Sequence, residues 1–239
     1  MQHTEIIKRK KGFTLKAKSI AALVCLILFL LLILLVKTTD VSAIGPENTR
    51  IGLSGINGTI HEATGVRMHW SKITNYMGYL SILVAVCFAL LGLVQLIRRK
   101  SLKKVDPEIY ALGGLYVLLA ILYVLFEFIV INYRPVIMPG DAHVEASFPS
   151  SHTMLIFVIL GSAAMVMDKY FRNQSVCRVL KLVFGILILI AVLGRLISGV
   201  HWFTDIIGGV LISAALLFLF ASVLDKFSNA PCPDAPADA

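Results

Sequence analysis

The sequence predicts an all-α integral membrane protein, a bundle of six transmembrane helices with both termini in the cytoplasm. Three observations carry that expectation. Of 239 residues, 58% are hydrophobic and 15% charged, where a soluble domain carries about 25% charged residues; the mean hydropathy is +0.85. The apolar residues form six runs, each near the roughly 20 residues that cross a bilayer core as a helix. Lys and Arg collect on alternate connections between those runs.

The first run spans about Ser19 to Val36, behind Lys8, Arg9, Lys10, Lys11, Lys16 and Lys18. It is longer than the apolar region of a signal peptide, and no clean small-residue cleavage site closes it, Ser42-Ala43 being the nearest approach. A polar, glycine-punctuated stretch from Lys37 to Asn75 follows; its scattered Ile, Leu, Val, Met and Trp suggest short helices lying in the membrane interface. The second run is about Tyr76 to Ile97, the third Glu108 to Val130, the fourth Ser151 to Met167, the fifth Val179 to Gly199 and the sixth Phe203 to Val223. The expected organisation is a basic cytoplasmic N-terminus (1–18), one membrane domain (19–223) with an extracytoplasmic loop at 37–75, and a Pro-rich, disordered cytoplasmic tail (224–239).

Charge orients the bundle. The N-terminus, the 98–104 and 169–181 connections and Lys226 hold sixteen of the 22 Lys and Arg, and the opposite side holds six. Positively charged connections stay in the cytoplasm, and an even number of spans returns the chain to the side where it started. The same clustering explains the formal net charge of +8 without nucleic acid as a partner. Cys25 and Cys87 lie within apolar runs, Cys177 and Cys232 on the cytoplasmic side, so no disulfide framework or cysteine zinc site is expected.

This orientation brings unusual polar residues together at the extracytoplasmic face. Run three closes on Tyr133-Arg134-Pro135, run four opens on Pro149-Ser150-Ser151-His152, run five closes on Arg195, and His201 to Asp205 leads into run six. Charge so near hydrocarbon is costly and needs partners or a purpose. Snorkelling accounts for either arginine alone, but not for the serines and two histidines at the same level. An anion site accounts for the set, and phosphate fits best. Arg134 and Arg195 supply planar donor forks, and the head of run four supplies free backbone N–H groups and the positive end of a helix dipole. Ser150 is placed to cap that helix or to donate to the ligand.

His201 and Asp205, four apart, share one helical face. A carboxylate on one imidazole nitrogen frees the other to attack, leaving His152 as an independent acid for the departing oxygen; an ordinary interfacial ion pair would have the same spacing. A metal would need a third ligand on that face, and Glu127, His61, His69 and His143 are only loosely spaced around it, so neither a metal nor another cofactor is expected.

Arg134-Pro135, Pro149-Ser150-Ser151-His152 and Arg195-x5-His201-x3-Asp205 resemble, in order and span placement, the three signature motifs of the type 2 phosphatidic acid phosphatase superfamily. The motif region covers 127–205. The resemblance implies a metal-independent lipid phosphatase with its site at the outer leaflet of the cell membrane. His201 would form a phosphohistidine, Asp205 orient it, and His152 protonate the leaving group; Arg134, Arg195, Ser150 and Ser151 would hold phosphoryl oxygens. Two positions depart from the family pattern. Glu127 stands where the first motif begins with Lys, about 10 Å deeper than Arg134 along the helix, with an arginine of the site, most plausibly Arg195, as its expected partner. Ser151 stands where the family usually has Gly, which keeps the backbone N–H but adds a side chain near the phosphate.

The expected substrate is a phosphorylated membrane lipid such as undecaprenyl diphosphate, phosphatidylglycerophosphate or phosphatidic acid. Two other readings share the site: a phosphotransferase that passes the group to another alcohol, and a lipid-phosphate binding or transport protein without turnover.

Overall fold

The computed structural model describes residues 2–228, with side chains placed for 15–227. The 229–239 part of the tail expected to be disordered, Cys232 within it, and the side chains of Lys8 to Lys11 lie outside the described residues. The described chain folds into α1 (Gln2–Thr38), α2 (Ser54–Thr64), α3 (Met68–Arg99), α4 (Pro107–Phe128), α5 (Ser151–Tyr170), α6 (Gln174–Ile197) and α7 (Phe203–Ser228). All but α2 are long and apolar enough to cross a membrane. The six expected runs are thus six helices, and α2 is the short helix expected within the 37–75 stretch.

Helices α5 and α7 form the centre. In their most apolar stretches 56% of residues are buried, against 11–17% in α1, α3, α4 and α6. The outer helices turn rows of Leu, Ile and Val outward, Leu23, Leu83, Val117 and Leu189 among them. Such faces suit lipid, because hydrocarbon solvates them without penalty. Small residues let α7 approach the start of α5 closely: a Cβ on Gly208 would stand 2.6 Å from the Phe148 ring, and one on Gly209 3.2 Å from the Ser150 carbonyl oxygen. Phe148 also stacks on Phe29 of α1 with ring centroids 5.8 Å apart. The connection into α5 is thereby anchored on both sides.

One end of the bundle gathers the starts of α3, α5 and α7 and the ends of α1, α4 and α6. Above it, the 39–53 segment folds back through an isolated bridge between Ser42 and Ile51. Asp40 caps α2, accepting hydrogen bonds from Ser54 Oγ at 2.9 Å and Gly55 N at 2.6 Å, and those bonds hold its carboxyl below the usual range. Buried Asn57 then ties α2 to the head of α7, donating to Thr204 Oγ1 at 3.0 Å and accepting from Thr204 N at 3.2 Å. Glu47 reaches across to accept from His143 and Val144 N, at 3.0 and 3.1 Å.

At the opposite end, Asp106 pairs with Arg99 at 2.7 Å and accepts from Gln95 at 2.9 Å. Burial opposes ionisation there, but Arg99, Gln95 and Lys169 outweigh it and hold that carboxyl below its ordinary value. Lys18 of α1 pairs with Asp225 of α7 at 2.7 Å.

Candidate functional site

The turn between α6 and α7 carries His201 at the centre of the polar cluster. Gly199 adopts φ +65, a left-handed conformation that an L-residue enters only with strain. A Cβ at Gly199 would also collide with the carbonyl oxygen of Gly65. The Arg67 N–H donates to the Ser198 carbonyl at 3.0 Å, and the Trp202 indole N–H donates to the Tyr133 carbonyl at 2.7 Å. The turn is therefore held between the 65–67 linker and the chain leading to Arg134.

His201, 3% exposed, has well-defined surroundings on both ring nitrogens. Nδ1 stands 3.1 Å from the Ser147 carbonyl oxygen. A carbonyl can only accept, so Nδ1 carries the proton. Nε2 stands 3.0 Å from Arg195 Nη2 and 3.3 Å from Arg134 Nη1. Guanidinium groups can only donate, so Nε2 presents its lone pair. Burial, then Arg195, Arg134 and His152, push the His201 pKa well below the usual imidazole value, with the Ser147 bond opposing.

Asp205 lies on the His201 face, as its spacing requires, with Oδ2 3.7 Å from Nδ1. That is ion-pair range and too long for a hydrogen bond. Oδ2 instead accepts from Trp202 N at 2.9 Å, the reach-back of a third-position carboxylate to the residue that begins the helix. Ser147 and Asn132 also face Asp205. The expected direct Asp205–His201 contact is thus replaced by a backbone acceptor, with the carboxylate just behind.

Arg195 is 2% exposed. Its Nη1 donates to Ser71 Oγ, Thr74 Oγ1 and Asn75 Oδ1, each at 3.3 Å. Its Nε has no hydrogen-bond partner among the described residues, which leaves a buried donor available to a ligand oxygen. Glu127 does not take the role of Arg195's partner: it is exposed at the end of α4 and lines a narrow cleft with Arg134, Ser151 and His201. Arg134 is instead held by Glu145, with Nε 3.2 Å from the carboxylate and the backbone N–H donating to the Glu145 carbonyl at 3.0 Å.

Ser150 precedes α5 but makes no side-chain cap. Its oxygen accepts from Thr153 Oγ1 at 3.0 Å, and its N–H donates to the Asp205 carbonyl at 3.0 Å. Ser151 and His152 face an apolar groove of about 410 Å³ between α3, α4 and α5, lined also by Leu119, Tyr123 and Leu155. His152 packs over Gly78, where a Cβ would come within 3.4 Å of the imidazole. It is hydrogen-bonded to none of the other expected site residues, and its buried Nδ1 lacks a partner among the described residues. His61 lies against Trp202, ring centroids 5.2 Å apart, where burial lowers its pKa.

The sequence therefore brings Arg134, Arg195 and His201 into direct contact, sets Asp205 behind them and places His152 on the groove side. It did not indicate Ser71, Thr74, Asn75, Ser147 or Glu145. The first three had a legible signal: i, i+3, i+4 spacing puts them on one helical face.

Comparison with known proteins gives two matches. Residues 130–229 match the model of the PAP2 superfamily, a segment holding every expected site residue except Glu127. The fold is similar to the crystal structure of a transmembrane PAP2 type phosphatidylglycerolphosphate phosphatase from Bacillus subtilis. The TM-score is 0.60 at 19% identity, over 88% of this chain and 98% of that one. No curated protein sequence gives a significant match.

Proposed function

We propose that this chain, whose residues 130–229 match the model of the PAP2 superfamily, is a multi-pass membrane phosphatase that hydrolyses a phosphomonoester or diphosphate on a membrane lipid through a phosphohistidine. One observation carries this reading: two guanidinium groups converge on the unprotonated Nε2 of buried His201, at 3.0 and 3.3 Å. A nucleophilic lone pair facing two cationic donors is the arrangement a phosphoryl group needs, with attack and charge stabilisation directed to one place.

In the proposed reaction, Nε2 attacks phosphorus while Arg134, Arg195 and Ser150 hold its oxygens. The bond from phosphorus to the leaving oxygen breaks (the lipid alkoxide oxygen in a monoester, the bridging oxygen of the remaining lipid phosphate in a diphosphate), its electron pair stays on that oxygen, and protonated His152 supplies the proton. Water then attacks phosphorus, the P–N bond returns its pair to Nε2, and His152 takes the water's proton, releasing inorganic phosphate. His152's position supports the acid role, because it faces the apolar groove where the lipid body would lie. The positive-inside bias supports a site at the outer leaflet, with both termini in the cytoplasm.

The test is phosphate release from detergent-solubilised undecaprenyl diphosphate, phosphatidylglycerophosphate and phosphatidic acid with EDTA present. Release that persists in EDTA and disappears in His201→Ala is expected. Transfer to an added alcohol without net release would instead make the protein a phosphotransferase. Binding without turnover on every lipid would make it a carrier.

A further inference from the structure

Glu127 makes no hydrogen bond or ion pair among the described residues. It nevertheless lines the cleft that reaches Arg134 and His201. Arg134 does not need it as a counterion, since Glu145 already fills that role. A carboxylate beside an anion site works against phosphate unless it meets a donor of its own, because an ionised carboxylate can only accept.

The cleft and the apolar groove share Tyr123, Ser151 and Met154. A lipid with its phosphate at His201 and its chain in the groove therefore threads the few atoms joining them past the wall that carries Glu127. In a diacylglycerol phosphate those atoms bear esters, which offer the carboxylate acceptors only. In an amino-alcohol lipid they bear an ammonium, a triple donor and a counter-charge.

We infer that Glu127 selects lipid phosphates carrying an ammonium group between phosphate and hydrocarbon chain over those bearing an ester or amide there. This rests on the phosphatase reading above. Arg134 and Arg195 would then hold the phosphate while Glu127 reads the neighbouring cation, so the site recognises a dipolar head group.

The test compares sphingosine 1-phosphate with its N-acetyl counterpart, which keeps the backbone and loses the positive charge. The wild-type protein and the E127Q and E127K variants are assayed in detergent, with melting temperatures to confirm folding. The expected wild-type preference in kcat/KM for the amine is about five- to tenfold, the range of a partly solvated charge pair. E127Q should abolish that preference by slowing the amine substrate, and E127K should reverse it. If Glu127 only repels phosphate, E127Q will speed both substrates alike with the ratio unchanged, and the inference is overturned. If the wild type releases phosphate from the earlier lipid panel but from neither of these two lipids, the inference is overturned; if it releases phosphate from none of them, the phosphatase reading fails. The ratio is then read from the affinities of the same two lipids, where an equal ratio in wild type and E127Q again overturns the selection by Glu127.

Discussion

The imidazole of His201 donates its Nδ1–H to the Ser147 carbonyl oxygen at 3.1 Å, while the Asp205 carboxylate stands 3.7 Å from the same nitrogen. The tautomer that frees Nε2 is therefore set by the backbone, which no side-chain substitution removes. In a triad whose carboxylate alone fixes the tautomer, the Asp to Asn change costs about 10⁴-fold in kcat. Here Asp205→Asn should keep the tautomer and the reach-back to Trp202, losing only the carboxylate's support of positive charge on the ring. The expected loss in kcat is about 10–100-fold, corresponding to about 1.5–3 kcal/mol for a hydrogen bond to a charged group. His201→Ala should be inactive. Equal loss in both variants would show that Asp205 takes the proton contact directly in the working enzyme.

Arg195 depends on neutral partners. A guanidinium that is 2% exposed, served by Ser71, Thr74, Asn75 and His201 without a carboxylate in contact, keeps its charge uncompensated for a ligand. Asn75→Ala should let its fork tilt away from His201. Phosphoryl-transfer kcat/KM should fall about tenfold and inhibition by vanadate should weaken in parallel, since one hydrogen bond to a charged group contributes on the order of 1.5 kcal/mol. Asn75→Asp restores an acceptor but neutralises the arginine, so it should rescue thermal stability without rescuing vanadate affinity. Unchanged vanadate inhibition in both variants would reduce Asn75 to a packing residue.

Those three residues mark where the sequence was hard to read. Hydropathy located all six spans because each needs a long apolar run, and it located the motif residues because charge at a span end is conspicuous. It also started the second span at Tyr76, while α3 begins at Met68. The missing two turns carry Ser71, Lys72, Thr74 and Asn75, polar enough to look like loop although their backbone is helical. The polarity of Ser71, Thr74 and Asn75 serves a buried arginine. Glu145 and the Ser147 carbonyl were invisible for another reason: both lie in the irregular 129–150 segment, whose course is fixed by Phe148 stacking on Phe29 and by the Trp202–Tyr133 bond. Neither contact has a sequence period. Asn57 is a third case, a polar residue in a loop helix whose partner, Thr204, is 147 positions away.

The pH dependence follows from His201. Burial and the two arginines hold its pKa well below the ordinary imidazole value, whereas the unfolded chain titrates near pH 6.5. Below about pH 6.5 the unfolded state binds a proton that the folded state does not, so stability rises with pH in that window and is lost on acidification. The wild-type melting temperature in detergent should therefore fall between about pH 6.5 and pH 5, and the fall should be shallower in His201→Gln, which removes the titrating ring. Because Nε2 stays unprotonated in the free protein, the acid limb of kcat/KM should not sit at pH 6.5. An acid limb at that value would show that Nε2 of His201 is protonated in the free protein and overturn this assignment.

Gly199 gives the sharpest structural test. Its φ of +65 and its contact with the Gly65 carbonyl both exclude a side chain. Gly199→Ala incurs about 1–2 kcal/mol for the left-handed conformation, and the collision adds to this by forcing the 65–67 linker and the α6–α7 turn apart. Two residues further on stands His201, so a shift of the turn separates Nε2 from the two guanidiniums. The variant should lose activity far beyond its loss of stability, because a displacement of about 1 Å at a reacting atom can cost 100-fold in rate. Gly65→Ala is the control: its φ of +62 with ψ of −169 brings a backbone penalty at least as large, about 1–3 kcal/mol, but a Cβ there meets nothing within 4 Å. It should lower the melting temperature while leaving kcat within a few-fold. Equal activity losses in the two variants would mean that strain in the linker, rather than the position of the His201 turn, governs the site.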